Sequence, residues 1–278
     1  MRSLGRALRI VPALAFGFLA YVYLALPDVR PLRESNPETT AFVELRAREA
    51  RARGARARSV QRWVPYNRIS DQLKRAVLVA EDSAFWDHEG IDLEQLQKSL
   101  EINIEQGRIA RGGSTITQQL AKNLYLSPSR DPLRKLRELM IARRLEAELS
   151  KRRILELYLN AIEWGDGIYG AEAASRAYFG KGAASLGPSE AALLAGSIIN
   201  PRVYSPASPN ARLLRRQRLI RSRMGFYEPP PSLPAVAETP PSPGPLPAAA
   251  PVLPSTLPGA SITLAPPPPP KKPGGGGQ

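Results

Sequence analysis

A dense group of polar residues, GGSTITQQLAKN at residues 112–123, is the first part of this chain that could do chemistry. Its hydroxyl and amide side chains carry many hydrogen-bond donors and acceptors, and Lys122 adds a positive charge. Buried helix faces rarely have this composition, because each polar group needs a partner. A polar helix N-terminus capped by Ser114 or Thr115 explains one or two of these residues. It does not account for the whole set, which indicates a ligand with many polar groups.

Two glutamates stand where a carboxylate could act in catalysis. Glu81 ends an apolar run, where partial desolvation would raise its pKa toward that of a useful base. Its spacing to Phe85 and His88 predicts that the three share one helical face. A surface Glu-Asp pair after a buried helix is the alternative. Glu138 follows Arg134 by four residues, and an exposed ion pair is the alternative there.

Composition excludes several kinds of site. The chain has no cysteine, so a thiolate nucleophile, a zinc-thiolate site and disulfides are impossible. Its one histidine, His88, excludes a multi-histidine metal site and is more typical of a structural residue. The net charge of +14 predicts acidic partners, which could be nucleic acid, anionic lipid head groups or phosphorylated substrates.

The catalytic candidates fall within residues 64–227, where the pattern is helical almost throughout. Ser70 is a predicted helix N-cap, and Asp131 is another, followed by Pro132 at the first helical position. We expect one face of each of three helices to be apolar: Leu73, Ala76, Val77 and Ala80; Leu133, Leu136, Met140 and Leu145; Ile154, Leu155, Tyr158, Leu159 and Ile162. Because no segment shows sustained period-two alternation, we predict an all-α domain. We also expect this domain to fold without the residues before Val64.

The flanking regions differ in composition. Residues 1–27 are interpreted as a cytoplasmic stub and a transmembrane anchor, because the uncharged residues 10–26 can cross a hydrocarbon core of about 30 Å. A cleaved signal peptide is the alternative, and the arginines before the run favour a cytoplasmic N-terminus. Residues 28–63 predict a basic stalk near anionic head groups, or a solvated charged helix. Residues 228–278 hold 18 of the 29 prolines, which predicts a disordered tail.

Five polar clusters in this order resemble the signature motifs of one family. They are EDSAFWDHEG (81–90), GGSTITQQLAKN (112–123), RKLRE (134–138), KRRILELYLN (151–160) and AALLAGSIINPRVYSP (191–206). Their order and spacing are similar to those of the peptidoglycan glycosyltransferases, which also form the first domain of bifunctional penicillin-binding proteins. The resemblance covers about 165 residues, and no motif position departs from the family pattern.

The resemblance implies a role for each candidate residue. Glu81 would be the catalytic base, and Glu138 would act in donor activation or cation coordination. Lys122 would bind the donor's pyrophosphate, and Arg134 and Lys135 would bind phosphate. Further substrate contacts are expected from Ser114, Thr115, Gln118 and Gln119. Supporting roles are expected from Asp82, Phe85, His88, Gly113, Lys151, Glu156 and Asn160.

The resemblance also implies a lysozyme-like all-α fold and polymerisation of lipid II into glycan strands. The absence of Ser-x-x-Lys predicts a monofunctional enzyme without transpeptidase activity. No cofactor would be required, and a role for Mg²⁺ or Mn²⁺ at Glu138 stays open. Expected partners are lipid II, the growing glycan, membrane lipids and other wall-synthesis proteins, but not nucleic acid. The domain would lie on the periplasmic face of the inner membrane.

Two other functions are compatible with parts of this pattern. A lysozyme-like hydrolase or lytic transglycosylase would share the fold and Glu81, but would not need Lys122, Arg134 and Lys135 around a pyrophosphate. A membrane-tethered scaffold for other wall-synthesis proteins would need none of the five clusters.

Overall fold

Helices make up most of the protein in a computed structural model, which describes residues 24–107, 113–126 and 132–225 and positions 13, 16, 17, 20 and 21. This confirms the prediction of a mostly helical domain. The α-helices of the described ranges are α1 (Ala41–Ala52), α2 (Asp71–Glu81), α3 (Leu93–Glu105), α4 (Ile116–Tyr125), α5 (Pro132–Glu148), α6 (Lys151–Ala161), α7 (Ala171–Phe179), α8 (Pro188–Ser197) and α9 (Ala211–Met224). Short 3₁₀ helices span Arg30–Arg33, Tyr66–Arg68 and Ala183–Ser185.

A small sheet departs from the all-α prediction. Strand β3 (Ile168–Tyr169) lies between β1 (Val60–Gln61), with which it is parallel, and β2 (Glu163–Gly165), with which it is antiparallel. Strands this short cannot show the alternation that predicts a strand from sequence. The Asp-Gly pair between β2 and β3 is a hairpin signal, and Gly167 has the positive φ, +69°, that such turns favour.

Helix α2 has a capped N-terminus, a buried apolar face and Glu81 as its last residue. Ser70 caps it, as predicted, by accepting a hydrogen bond from the Leu73 amide at 3.1 Å. The apolar face is buried at Leu73, Ala76 and Val77, each with no exposed surface. The helix ends at Glu81, so that glutamate lies at the last turn of a buried helix.

Helix α5 begins at Pro132, as predicted, but its buried face differs from the predicted one. Leu133 is 40% exposed, although it was expected to face the core with Leu145. Leu145 is fully buried, as predicted, and the other buried residues of this helix are Glu138, Ile141, Ala142 and Leu149. The helix is therefore rotated so that Glu138 points inward. Asp131, the predicted cap, lies outside the described residues.

The domain is arranged so that several helices meet around the end of α2. Helix α8 packs against both α2 and α9, and α4 packs against both α5 and α6. The predicted apolar face of α6 is confirmed at Ile154, Leu155, Tyr158 and Leu159, which have no exposed surface, and at Ile162, which is 4% exposed. The fifth motif forms α8 and the turns that lead to α9.

Residues 28–63, expected to form a stalk, pack on the domain instead. Val29 and Leu32 are buried in the core, and β1 belongs to the sheet. Arg46 on α1 binds the carboxylate of Glu163, which is 4% exposed, with Nη2 at 3.1 Å. Apolar side chains and an acidic partner for Arg46 are reasons for this segment to fold onto the domain, and arginine content alone did not reveal them.

These contacts indicate that the residues before Val64 add to the stability of the domain. A chain that starts at Val64 should unfold at a clearly lower temperature, because each buried aliphatic side chain that it lacks is worth about 1.5–3 kcal/mol. It also leaves Glu163 buried without its cation. A chain that starts at Asp28 is the control, and both can be compared by thermal circular dichroism. Equal unfolding temperatures would mean that the segment adds nothing to stability.

Two predicted flanking regions lie largely or wholly outside the described residues. The proposed tail, 228–278, is wholly outside them, and so is most of the proposed anchor, 10–26. Among the residues that are described, no helix is both long enough and apolar enough to span a bilayer. All of the described residues belong to one compact unit, Met1–Pro231.

Candidate active site

Both carboxylate oxygens of Glu81 are held by hydrogen bonds. Oε1 accepts from Nη2 of Arg216 on α9 at 3.1 Å, and Oε2 accepts from Nε2 of Gln119 on α4 at 3.1 Å. Burial raises the pKa of Glu81, and the contacts with Gln119 and Arg216 oppose that rise. The result is an oriented carboxylate that binds a proton more readily than an ordinary glutamate, as a general base requires.

A buried tyrosine orients the amide of Gln119. The hydroxyl of Tyr158 on α6 donates to Oε1 of Gln119 at 2.8 Å, so the amide nitrogen faces Glu81. Burial raises the pKa of Tyr158 well above its usual value, and this keeps the hydroxyl protonated as a donor. Three helices are thereby linked by a chain of hydrogen bonds that ends at the carboxylate.

Asp82 and His88 join the end of α2 to the start of α4. Asp82, 1% exposed, accepts from Nε2 of His88 at 3.0 Å and from the Ile116 amide at 2.9 Å. The Gly90 amide donates to Nδ1 of His88 at 3.1 Å, which places the ring proton on Nε2. Both ring nitrogens of His88 therefore make hydrogen bonds within the protein, and these bonds stabilise the loop.

The shared helical face predicted for Glu81, Phe85 and His88 is wrong, because α2 ends at Glu81 and the next residues form turns. Phe85 is nevertheless fully buried, with its ring edge-on to the imidazole at a centroid distance of 6.3 Å. The ammonium of Lys151 lies 4.6 Å from the centre of the Phe85 ring and donates to the carbonyl of His88. The loop is therefore held by packing and by a cation rather than by helical geometry.

The second motif divides into buried residues and an exposed one. Thr115 caps α4 and donates to the carbonyl of Gly90 at 2.7 Å, and Gln118 also donates to that carbonyl at 3.3 Å. Both side chains are 2% exposed, so they position the motif rather than present free groups to a ligand. Ser114 is exposed and lies 3.3 Å from the ammonium of Lys135.

The start of this motif packs tightly on α3. A methyl group at Gly113 would lie 3.4 Å from both the Leu96 Cα and the Ser99 Oγ, which is ordinary van der Waals contact. Gly112 lies outside the described residues. The close packing places Ser114 and the first turn of α4 beside the first turn of α5.

A group of two cations and one carboxylate lies beside this motif. Glu138, 3% exposed, accepts from Nη1 of Arg134 at 2.8 Å and from the ammonium of Lys135. Lys135 also donates to Oε1 of Gln118 at 3.1 Å. These contacts fix both cations at the start of α5, with their positive charge only partly neutralised by Glu138.

Lys122 on α4 is the cation without a counter-ion. It is half-buried and, within the part of the chain that the structure describes, has no hydrogen-bond or ion-pair partner. Burial lowers its pKa, and the charges that act on it are those of Glu138, Arg134, Lys135 and Glu81. Lys122 therefore lies within electrostatic reach of both glutamates and of the other two cations, where it can receive an anionic group.

A divalent cation at Glu138 stays a prediction. Mg²⁺ and Mn²⁺ prefer oxygen ligands, and each oxygen of Glu138 accepts one hydrogen bond from a positively charged group. No cluster of three or more acidic or histidine side chains that could hold a metal occurs among the described residues.

The fourth motif braces the domain behind the site. The fully buried Asn160 donates to the carbonyl of Val64 and accepts from its amide, both at 2.9 Å. Glu156 accepts from the amide of Tyr66 at 2.7 Å, and Lys151 binds Glu146 at 2.8 Å. These contacts fix α6, and with it Tyr158.

Arg216 and Tyr158 are contacts of the site that the sequence did not single out. Helix α9 contains six arginines, so composition alone did not show that Arg216 is the one that faces Glu81. The spacing of Arg216 from the buried residues Leu213 and Ile220, three before and four after, was the available signal. Tyr158 was predicted only as an apolar position of α6.

Comparison with known proteins shows the family of the chain. The family model for the transglycosylase domain matches residues 49–225. The chain is 49% identical over 226 residues to a biosynthetic peptidoglycan transglycosylase of Aromatoleum aromaticum, covering 81% of this chain and 96% of that protein. Relatives of the same name from Azoarcus sp. and Chromobacterium violaceum are 50% and 45% identical, covering 83% and 79% of this chain and 98% and 96% of their own lengths.

The relatives are named as transglycosylases, so the helical domain with its buried glutamate and nearby cations is that of a glycosyl-transferring enzyme. The chain belongs to the transglycosylase family, and this confirms the resemblance that the five motifs indicated.

Proposed function

We propose that the chain is a peptidoglycan glycosyltransferase that polymerises lipid II into glycan strands. The observation that carries this proposal is Lys122, a half-buried cation that has no counter-ion among the described residues and lies within electrostatic reach of Glu81, Arg134 and Lys135. Such a site suits a substrate whose leaving group is a pyrophosphate and whose attacking group is a hydroxyl. The relatives are named biosynthetic peptidoglycan transglycosylases, and these names support the same substrate class.

The proposed reaction is a single displacement. The 4-hydroxyl oxygen of the acceptor N-acetylglucosamine forms a bond to C1 of the donor N-acetylmuramic acid, and the bond from C1 to the phosphate oxygen breaks. Glu81 takes the hydroxyl proton, and undecaprenyl pyrophosphate leaves with the bonding electron pair. Attack opposite to the leaving group inverts the configuration at C1.

The cations stabilise the charge that develops on the leaving group. Lys122 contributes a point charge from α4, while Arg134 and Lys135 contribute theirs from the start of α5. Glu138 holds the α5 pair in place through both of its oxygens. We therefore assign Glu138 a positioning role and expect polymerisation to persist when a chelator removes divalent cations.

The two rival functions do not use this arrangement. A hydrolase or lytic transglycosylase cleaves a bond between sugars, whose departing oxygen needs a proton donor rather than three cations. A scaffold needs neither the oriented carboxylate nor the unpaired Lys122. The three cations near Glu81 therefore favour transfer from a diphosphate donor over both alternatives.

Location at the outer face of the inner membrane is part of the proposal. It rests on the uncharged residues 10–26 and on α3, whose exposed surface carries four large apolar side chains. Leu93, Leu96, Leu100 and Ile104 are 72%, 49%, 59% and 71% exposed. A face of this kind suits contact with a bilayer that holds the undecaprenyl tail.

Incubation of the full chain with labelled lipid II tests the proposed function. We expect polymeric glycan that a muramidase digests, together with release of undecaprenyl pyrophosphate in proportion to the bonds formed. Preformed glycan in a parallel reaction should keep its length. Shortening of that glycan would favour the lytic alternative, and the absence of both reactions would favour the scaffold.

A further inference from the structure

Arg216 reaches the candidate base from the last helix of the described domain. Its Nη2 lies 3.1 Å from Oε1 of Glu81, and its side chain is 30% exposed whereas that of Glu81 is 12% exposed. Helix α9 packs closely on α8 at Gly196. A methyl group at Gly196 would lie 3.0 Å from Leu213 and 3.7 Å from the Cγ of Arg216, both on α9. This packing holds the Arg216 side chain beside Glu81. The guanidinium is thus presented by a packed helix and not by a loop.

The contact leaves Glu81 able to accept a substrate proton. A carboxylate has about four lone-pair sites, and Arg216 and Gln119 each use one, on different oxygens. The two donors approach from different helices, so they restrict rotation of the carboxylate. One lone pair on each oxygen remains for the acceptor hydroxyl.

The charged and titratable groups around Glu81 come from three helices and from the next residue in the chain. Lys122 faces it from α4, Tyr158 from α6 and Arg216 from α9, and Asp82 follows it in the chain. The acidic residue of α8, Glu190, pairs with Lys181 instead. Arg216 is the cation in hydrogen-bond contact with Glu81, and it opposes the effect of burial, which favours the protonated acid.

Holding Arg216 in this position has a cost. Its Nε is buried and has no hydrogen-bond partner in the part of the chain that the structure describes. An orphaned buried donor lowers stability and calls for an explanation. The contact with Glu81 supplies one.

We infer that Arg216 is the positioning residue of the general base, orienting the Glu81 carboxylate and keeping it ionised so that it can accept the proton of the acceptor hydroxyl. This inference rests on the proposed function, because it assigns Arg216 a role in the same reaction. Arg216 acts through Glu81 and need not touch the substrate.

The test compares pH profiles of lipid II polymerisation for the full chain and its Arg216→Gln, Arg216→Lys and Arg215→Gln variants. A neighbouring opposite charge lowers a carboxyl pKa by about one to three units, so R216Q should move the acidic limb of kcat/KM upward by that amount. At neutral pH kcat should fall while KM for lipid II stays constant. R216K keeps the charge and should leave the limb near its wild-type position while lowering kcat. Arg215, exposed on the same helix, is the matched control and should change nothing.

A second readout does not depend on lipid II. The carboxylic acid band that is present in infrared spectra of the wild type and absent in E81Q reports protonation of Glu81 directly, and in R216Q it should persist to higher pH. If R216Q fails to fold, R216K must still show the lower kcat with an unmoved limb.

Several outcomes would overturn the inference. They are an acidic limb of R216Q at the wild-type pH, an equal displacement in R216K, and a rise in KM with unchanged kcat, which would place Arg216 on the substrate. A wild-type chain that makes no polymer would contradict the proposed function, whereas an unchanged infrared titration in R216Q would contradict only the role of Arg216.

Discussion

Replacing Glu81 by glutamine is expected to lower lipid II polymerisation by about 100-fold to 10,000-fold, the usual contribution of a positioned general base. The substitution keeps the size of the side chain and an oxygen that can accept from Arg216, but it removes the ability to take a proton. Binding of lipid II should change little, because the lost interaction is one that matters when the proton moves. Initial rates of glycan synthesis at saturating lipid II measure the effect.

Stability should respond to the same substitution in the opposite direction. The folded-state pKa of Glu81 lies above its unfolded value, so the folded protein gains stability as the pH falls through that window and loses it as the pH rises. At neutral pH the ionised group therefore costs stability, and E81Q should unfold at a temperature no lower than the wild type.

Glu89→Gln is the matched control for this prediction. Glu89 lies in the same loop, but its side chain is 78% exposed and pairs with Arg143. It should keep wild-type turnover. Near-normal glycan synthesis by E81Q would remove Glu81 from the role of base, and a loss of activity that follows a loss of fold would make Glu81 a structural residue.

Features set by neighbouring residues were predictable from the sequence. The cap at Ser70, the start of α5 at Pro132 and the buried face of α6 each depend on chemistry within one or two helical turns. The five motifs predicted the family for a similar reason, since their residue types and order are properties of the chain itself. The resemblance also supplied roles that spacing alone had left open.

Features set by contacts between distant segments were not predictable. The rotation of α5 depends on where Arg134 and Lys135 find partners, and its leucine pattern misled because Glu138 takes a buried position. The proposed stalk was judged by its arginines, although the buried Glu163 that binds Arg46 comes more than a hundred residues later. Arg216 was hidden among similar residues, because only the packing of α9 on α8 and α2 selects the one that meets Glu81.

Replacing Lys122 by alanine is expected to lower turnover by about 100-fold to 1,000-fold, the typical effect of removing one donor that stabilises developing transition-state charge. The fold should not suffer. Burial lowers the pKa of Lys122, which means that the charged form is disfavoured in the folded protein, so removing it relieves a cost. A structural lysine would behave in the opposite way, because its loss would reduce the unfolding temperature together with activity.

The pH dependence distinguishes a phosphate-binding cation from a spacer. Lys122 must be protonated to bind phosphate, and its lowered pKa predicts an alkaline limb of kcat/KM at lower pH than an ordinary lysine would produce. Lys122→Arg keeps its charge at all accessible pH values, so that limb should disappear while part of the activity remains. Lys181→Ala, which removes a surface lysine paired with Glu190, is the control and should match the wild type. If K122A retains normal turnover, or if K122R keeps the wild-type alkaline limb, the diphosphate does not depend on this cation and must be bound by Arg134 and Lys135 alone.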